Sequence, residues 1–112
     1  MSFHSSSKDI HIEVNERHQC TLLLCMVRNQ EGQYIPNKIR LDDHIGNTDG
    51  WFIWGGTNFT LSASNIALEM TPYGPKLCAD LRMHDGGSRG RQGIMLSDKI
   101  ENRNGHLHFL GP

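Results

Sequence analysis

Three arrangements of reactive side chains stand out in this 112-residue chain. Gly86-Gly87-Ser88-Arg89-Gly90 satisfies G-x-S-x-G, the pattern in which a serine nucleophile is raised on a sharp turn. Seven histidines are present, and His106 and His108 would share one strand face, the donor type that zinc prefers. Arg82, Arg89 and Arg91 lie close enough in sequence to meet a phosphate together. Each arrangement lacks its complement. The serine elbow needs a parallel strand before it, a helix after it and a far longer chain, whereas these glycines read as a hairpin turn. No Cys-x-x-Cys, His-Glu-x-x-His or carboxylate partner is in register with His106 and His108, so a surface pair is expected, without metal or other cofactor. The arginines come without interleaved aromatics in a chain of net charge −1, which predicts a solvated hairpin and no nucleic-acid partner. An enzyme is not expected.

A fourth arrangement is written twice. "IRLDDHIGNTDGWFIW" (Ile39–Trp54) lies over "IMLSDKIENRNGHLHF" (Ile94–Phe109) at an offset of 55. Upstream, "FHSSSKDIHIE" (Phe3–Glu13) lies over "FTLSASNIALE" (Phe59–Glu69) at 56, and "VRNQEG" (Val27–Gly32) over "LRMHDG" (Leu81–Gly86) at 54. Drift of this size is what insertions in turns produce. The repeats therefore span about 1–55 and about 56–112. Taken alone, Asn-x-Asp-Gly and Asn-x-Asn-Gly are ordinary turn chemistry, because Asn, Asp and Gly tolerate positive φ.

The elements that position these phrases are short strands. Twelve glycines with scattered Asn and Asp predict many tight turns. Period-two alternation places strands near 10–14, 19–28, 33–41 and 51–54, with a weaker piece near 3–5; the second repeat mirrors them near 66–70, 76–83, 91–96 and 106–110, with a weaker piece near 59–61. "LDDHI" and "LSDKI" each suit one helical turn, with Asp42 or Ser97 as N-cap. Half a chain buries too little surface to stand alone, so the halves are expected to share one core in a single domain, anchored by Phe52, Trp54, Phe59, Leu107 and Phe109. Trp51 should point away from that core, where it could stack on a ring.

Cys20 and Cys25 would sit on opposite strand faces roughly 16 Å apart, beyond disulfide reach. The odd count of three, with no basic and apolar leader in "MSFHSSSKDI", predicts reduced thiols and a cytoplasmic protein, with export outside the signal-peptide route as the alternative. On that reading the Asn58-Phe59-Thr60 glycosylation sequon is silent. The longest apolar run, Leu22–Val27, is too short to insert in a membrane.

The doubled L-x-D-x-I-x-N-x-x-G phrase, the Trp after its first copy and the following G-x-N-F-T resemble the cyanovirin-N homology (CVNH) family over essentially the whole chain. The resemblance implies an all-β lectin of two pseudo-symmetric lobes. Each lobe is a three-stranded sheet plus a β-hairpin with short helical turns, and draws strands from both repeats. It also implies non-catalytic binding of high-mannose glycans through terminal α(1→2)-linked mannose. Where the founding member has disulfides this chain has Ser7 with Val27 and Ala63 with Leu81, which points to the disulfide-free, fungal-type branch. The founder's hinge proline is replaced by Gly55-Gly56, so a monomer is expected, with a strand-swapped dimer as the alternative.

Two pockets follow from the matched positions. In the lobe holding both chain ends they are Ser2, Ser5, Ser6, Arg28, Asn29, Gln30, Glu101, Asn102, Arg103 and Asn104. In the central lobe they are Gly46, Asn47, Thr48, Asp49, Thr57, Asn58, Ser62, Arg82, Met83 and His84. Amides, carboxylates and hydroxyls suit vicinal sugar hydroxyls, which both donate and accept. Gly46 lacks the carboxylate that Glu101 supplies in the echo, and Asn104 stands where Asp49 stands in the first phrase, so the two sites are unequal. The competing reading is a scaffold of the same fold whose pockets have decayed.

Overall fold

The computed structural model describes residues 3–15, 17 and 19–111. In chain order the strands are β1 (Ser7–Asn15), β2 (Cys20–Arg28), β3 (Tyr34–Arg40), β4 (Ile45–Thr48), β5 (Trp51–Trp54), β6 (Ala63–Thr71), β7 (Gly74–Arg82), β8 (Ser88–Met95), β9 (Ile100–Arg103) and β10 (His106–Phe109). They form antiparallel sheets β1-β2-β3 and β6-β7-β8 and hairpins β4-β5 and β9-β10. Hairpins and sheets are exchanged between the repeats. The tip of β9-β10 lies against β3 and the β2-β3 turn, where Gly105 packs beside Ile35 and Asn29. The tip of β4-β5 lies against the β7-β8 end, where Gly50 packs beside Met83 and Arg89. The terminal lobe is thus β1-β3 with β9-β10, and the central lobe β6-β8 with β4-β5.

The repeat extends to irregularities. β1 and β6 share one burial pattern, and each breaks register once, between Lys8 and His11 and between Ser64 and Ala67. The bulged residues, Asp9 (φ 56°) and Asn65 (φ 53°), are of the types that tolerate the left-handed region. β8 carries a further register shift, opposite Asp80–Arg82 and near Gly90 (φ 95°), which β3 lacks.

One core runs through both lobes. Phe3, Leu23, Val27, Leu41 and Ile45 join Phe59, Leu77, Leu96 and Ile100, all fully buried. Of the expected anchors, Phe59 lies at the centre; Phe52, Trp54 and Leu107 pack against the core half-buried. Phe109 stacks on His44, 4.2 Å between ring centroids. Phe3, the counterpart of Phe59, is the other central ring. Trp51 is 50% exposed. The three cysteines are free and buried, and burial pushes the Cys25 thiol up to about 11. Ser7 pairs directly across from Val27, and Ala63 from Leu81, so the disulfide positions are plain cross-strand pairs.

Several local expectations are corrected. Phe3–Ser6 and Phe59–Ser62 are 3-10 turns rather than strand pieces, because each must bend to bring its phenyl ring inward. β4 and β9, read from sequence as turn, are four-residue strands. The helical turns exist at Leu41–Asp43 and Leu96–Asp98, but Arg40 and Met95 occupy the cap positions. Asp42 instead lies fully buried. Its carboxylate accepts from Thr21 N (2.7 Å), Thr60 N (2.9 Å) and Thr60 Oγ1 (2.8 Å), tying the first helical turn to β2 and to the Phe59–Ser62 turn. At the equivalent seam Ser97 Oγ meets His4 Nδ1 at 2.8 Å.

Candidate functional site

Asn47 and Asn102 have the same environment, built by exchange. The Asn47 Nδ2 donates to Ser62 Oγ (2.8 Å) and Arg82 O (2.9 Å), and its Oδ1 accepts from Gly50 N (2.8 Å). The Asn102 Nδ2 donates to Ser6 Oγ (2.8 Å) and Arg28 O (2.7 Å), and its Oδ1 accepts from Gly105 N (2.8 Å). Each amide closes its own hairpin turn and latches that hairpin to the sheet and helical turn of the other repeat. Both donors and one acceptor lone pair are used, so these side chains shape a cleft more than they face one. Gly50 (φ 91°) and Gly105 (φ 86°) supply the conformation the turns require.

The next pair diverges. Asp49 Oδ1 accepts from His84 N (2.9 Å), and Asn104 Oδ1 from Gln30 N (3.0 Å), so both brace the tip. Only the aspartate adds charge. Arg89 donates from Nε to Asp49 O (2.9 Å) and lies 3.3 Å from Asp49 Oδ2. The His84 amide first, and the charges of His84 and Arg89 after it, hold the Asp49 carboxyl below its ordinary value. Around this brace opens a cleft of about 350 Å³ lined by Asn47, Asp49, Ser62, Arg82, Met83 and His84.

A tandem β chain whose hairpins are exchanged, with a polar cleft under the hairpin tip, is the architecture that the family resemblance implied. The family model of the CVNH domain matches residues 3–108. This chain belongs to the CVNH family. A Neurospora crassa cyanovirin-N homolog is 38% identical over 110 residues, 96% of each chain. The structure of a Gibberella zeae CVNH protein superposes with TM-score 0.84 at 40% identity over 97% of both chains. Microvirin, solved as a mannobiose complex, superposes with TM-score 0.82 at 25% identity over 96% of this chain and 97% of its own. CVNH proteins are carbohydrate-binding lectins, and this member has the family's all-β, two-lobed fold.

Six of the ten expected central residues of this CVNH chain line the one cleft. The others do not. Thr48, Thr57 and Asn58 are exposed, and Asn58 is spent partly on structure, its N–H donating to Asp42 O at 2.8 Å from a left-handed conformation. Gly46 is buried, and a Cβ there would lie 2.9 Å from Thr57 N and 3.0 Å from Gly56 Cα. A carboxylate side chain at this position would therefore have to push against the hinge backbone.

In the terminal lobe, Ser6, Arg28, Gln30, Asn102 and Asn104 meet through the bonds above. Asn29 turns inward on its own loop, its Oδ1 accepting from Glu31 N and Gln33 N, both at 3.0 Å. Glu101 is paired with Arg103, whose hydrogen bond is the main cause holding its carboxyl low. Ser5 is exposed, and Ser2 lies outside the described residues. Sequence reading missed Arg89 as a site residue. Its guanidinium also lies 4.5 Å from the Trp51 ring centroid, covering one face of the ring expected to await a sugar. The clue was Gly90, a bulge glycine that redirects its neighbour.

Proposed function

We propose that the protein is a non-catalytic lectin that binds the α(1→2)-linked mannose termini of high-mannose glycans in the central cleft. The supporting observation is that the cleft lined by Asn47, Asp49, Ser62, Arg82, Met83 and His84 gathers six of the ten central-lobe residues expected from the family resemblance. Each Asp49 oxygen keeps a further lone pair for a hydroxyl, and the exposed Arg82 and His84 supply donors beside it. The mannobiose complex of microvirin agrees with this choice of sugar. Because Gly55 (φ 85°) and Gly56 relax the crossing between repeats, the same reading takes the protein as a monomer.

Titration with α(1→2)-mannobiose tests it by amide chemical shifts. Movement of Asp49, Arg82 and His84, and a loss of about tenfold in affinity for Asn47→Ala, is expected. If Asn102→Ala abolishes binding and Asn47→Ala does not, the terminal lobe is the working site. Silence of both lobes at millimolar sugar overturns the lectin reading and leaves a scaffold.

A further inference from the structure

We propose that the central site continues past the first cleft into a second subsite for the inner residues of a linear, uncharged oligosaccharide, and that the terminal lobe has this extension closed. The inference rests on the central-cleft reading above.

A second cleft of about 240 Å³ adjoins the first and shares Ser62 and Arg82 with it. It opens between β6, β7 and the β7-β8 turn, and presents Ser64, Asp80 and Ser88 with the bare backbone of Gly86 and Gly87. Hydroxyls, one carboxylate and one guanidinium offer alternating acceptors and donors with no net charge, the pattern a neutral polyhydroxyl chain needs. Asp80 is fixed in place, its Oδ2 accepting from Asn65 Nδ2 (2.7 Å), while Arg91 Nη1 donates to Asn65 O (2.9 Å). The Arg82 guanidinium, between the two clefts, makes no hydrogen bond or ion pair among the described residues. Gly86 (φ 89°) has nothing within 4 Å of where a side chain would begin, so the turn leaves its side of the cleft open.

The other lobe shows what closes such a space. The register that pairs Ser64 with Asp80 and Arg82 with Ser88 pairs Lys8 with Met26 and Arg28 with Tyr34. Two serines in the central lobe thus correspond to Lys8 and Tyr34, and the aspartate to Met26. Lys8 Nζ lies 4.3 Å from the Tyr34 ring centroid, a stack spanning the place where the central lobe is open. Equivalent register positions are bridged by the Lys8–Tyr34 stack in one lobe and lined by two serines and an aspartate in the other.

The test compares α(1→2)-mannobiose with linear α(1→2)-mannotetraose by calorimetry and amide shifts. The tetraose is expected to bind about tenfold more tightly, the scale of two or three further hydrogen bonds, and to move Ser64, Asp80 and Gly87, which the disaccharide leaves still. Rebuilding the stack with the double variant S64K/S88Y should bring the tetraose down to the disaccharide's affinity; Asp80→Ala should do so partly, and gives a second measurement should the double variant misfold. Equal affinities in the unaltered protein, or a length preference that survives in S64K/S88Y, would overturn the subsite. If the tetraose moves Ser64 and Asp80 while the disaccharide binds nowhere, the subsite stands and the end-binding reading falls. Silence of both sugars removes both.

Discussion

Beyond the asparagine latch that they share, the two lobes hold equivalent hairpins by different means. In the terminal lobe a neutral amide inside the sheet does it: Asn37 Nδ2 donates to Gly105 O (2.6 Å) and Asn37 Oδ1 accepts from Leu107 N (3.1 Å). The equivalent register position in the central lobe, opposite Ala79 rather than Cys25, is Gln92. There the hairpin is instead braced at its rim by Arg89, brought to Asp49 by the bulge that β3 lacks. An amide clasp within a sheet leaves the tip seated and neutral. A charged brace at the rim keeps the space beneath the tip open and makes its upkeep depend on pH and salt. The central lobe, which holds both clefts described above, is also the lobe with the Asp49–Arg89 brace.

The seams between the lobes differ more strongly, and breaking them should give the largest effect. Asp42→Ala would strand Thr21 N–H and Thr60 N–H around a cavity, at a cost of about 3 kcal/mol. Ser97→Ala, which removes only the bond to His4, should cost about 1 kcal/mol. Paired denaturant melts measure both, and equal losses would show that the seams are energetically alike.

Next in size is the glycine that distinguishes the doubled phrases. Gly46→Glu copies Glu101 into the central lobe, yet its Cβ must push against the Gly56–Thr57 backbone. The expected cost is about 2 kcal/mol with no gain in sugar affinity. A stable Gly46→Glu variant that binds better would restore the view of Gly46 as a lost ligand.

The smallest effect concerns the rim. Asp49 titrates below 3.8 while its hairpin is seated, so its contribution is in full force above that pH and drains away as acid carries the solution below it. Amide exchange at His84 should rise there, while Gln30, held by the neutral Asn104, should not respond in step. Parallel behaviour of the two amides would place the brace elsewhere.

The doubled phrase was enough to infer a tandem repeat with one shared core and most of the strands, because the alternation recurs in both copies; the two lobes and the exchange of hairpins came from the family resemblance. β4 and β9 escaped because each is short, carries an asparagine and runs directly into an Asp-Gly or Asn-Gly turn, whereas the equally short β5 and β10 show aromatic or apolar alternation. The site was partly readable from the same resemblance. Asn47 and Asp49 marked the right place, but residue type cannot tell a side chain that meets ligand from one that holds the hairpin. Arg89 was hidden because its role depends on a one-residue bulge. Asp42 looked like a cap because caps are local, whereas its partners lie 21 and 18 residues away.

The exchange of hairpins has a consequence for severed chains. A protease cutting between Gly55 and Gly56 would release two fragments, each carrying one sheet and the hairpin that belongs to the other. Each would grip its partner through an asparagine latch, Asn47 in one direction and Asn102 in the other, around a core drawn from both. Such a nick ends the continuity of the polymer without parting the halves, as two clasped hands stay joined when neither arm is tied to the other.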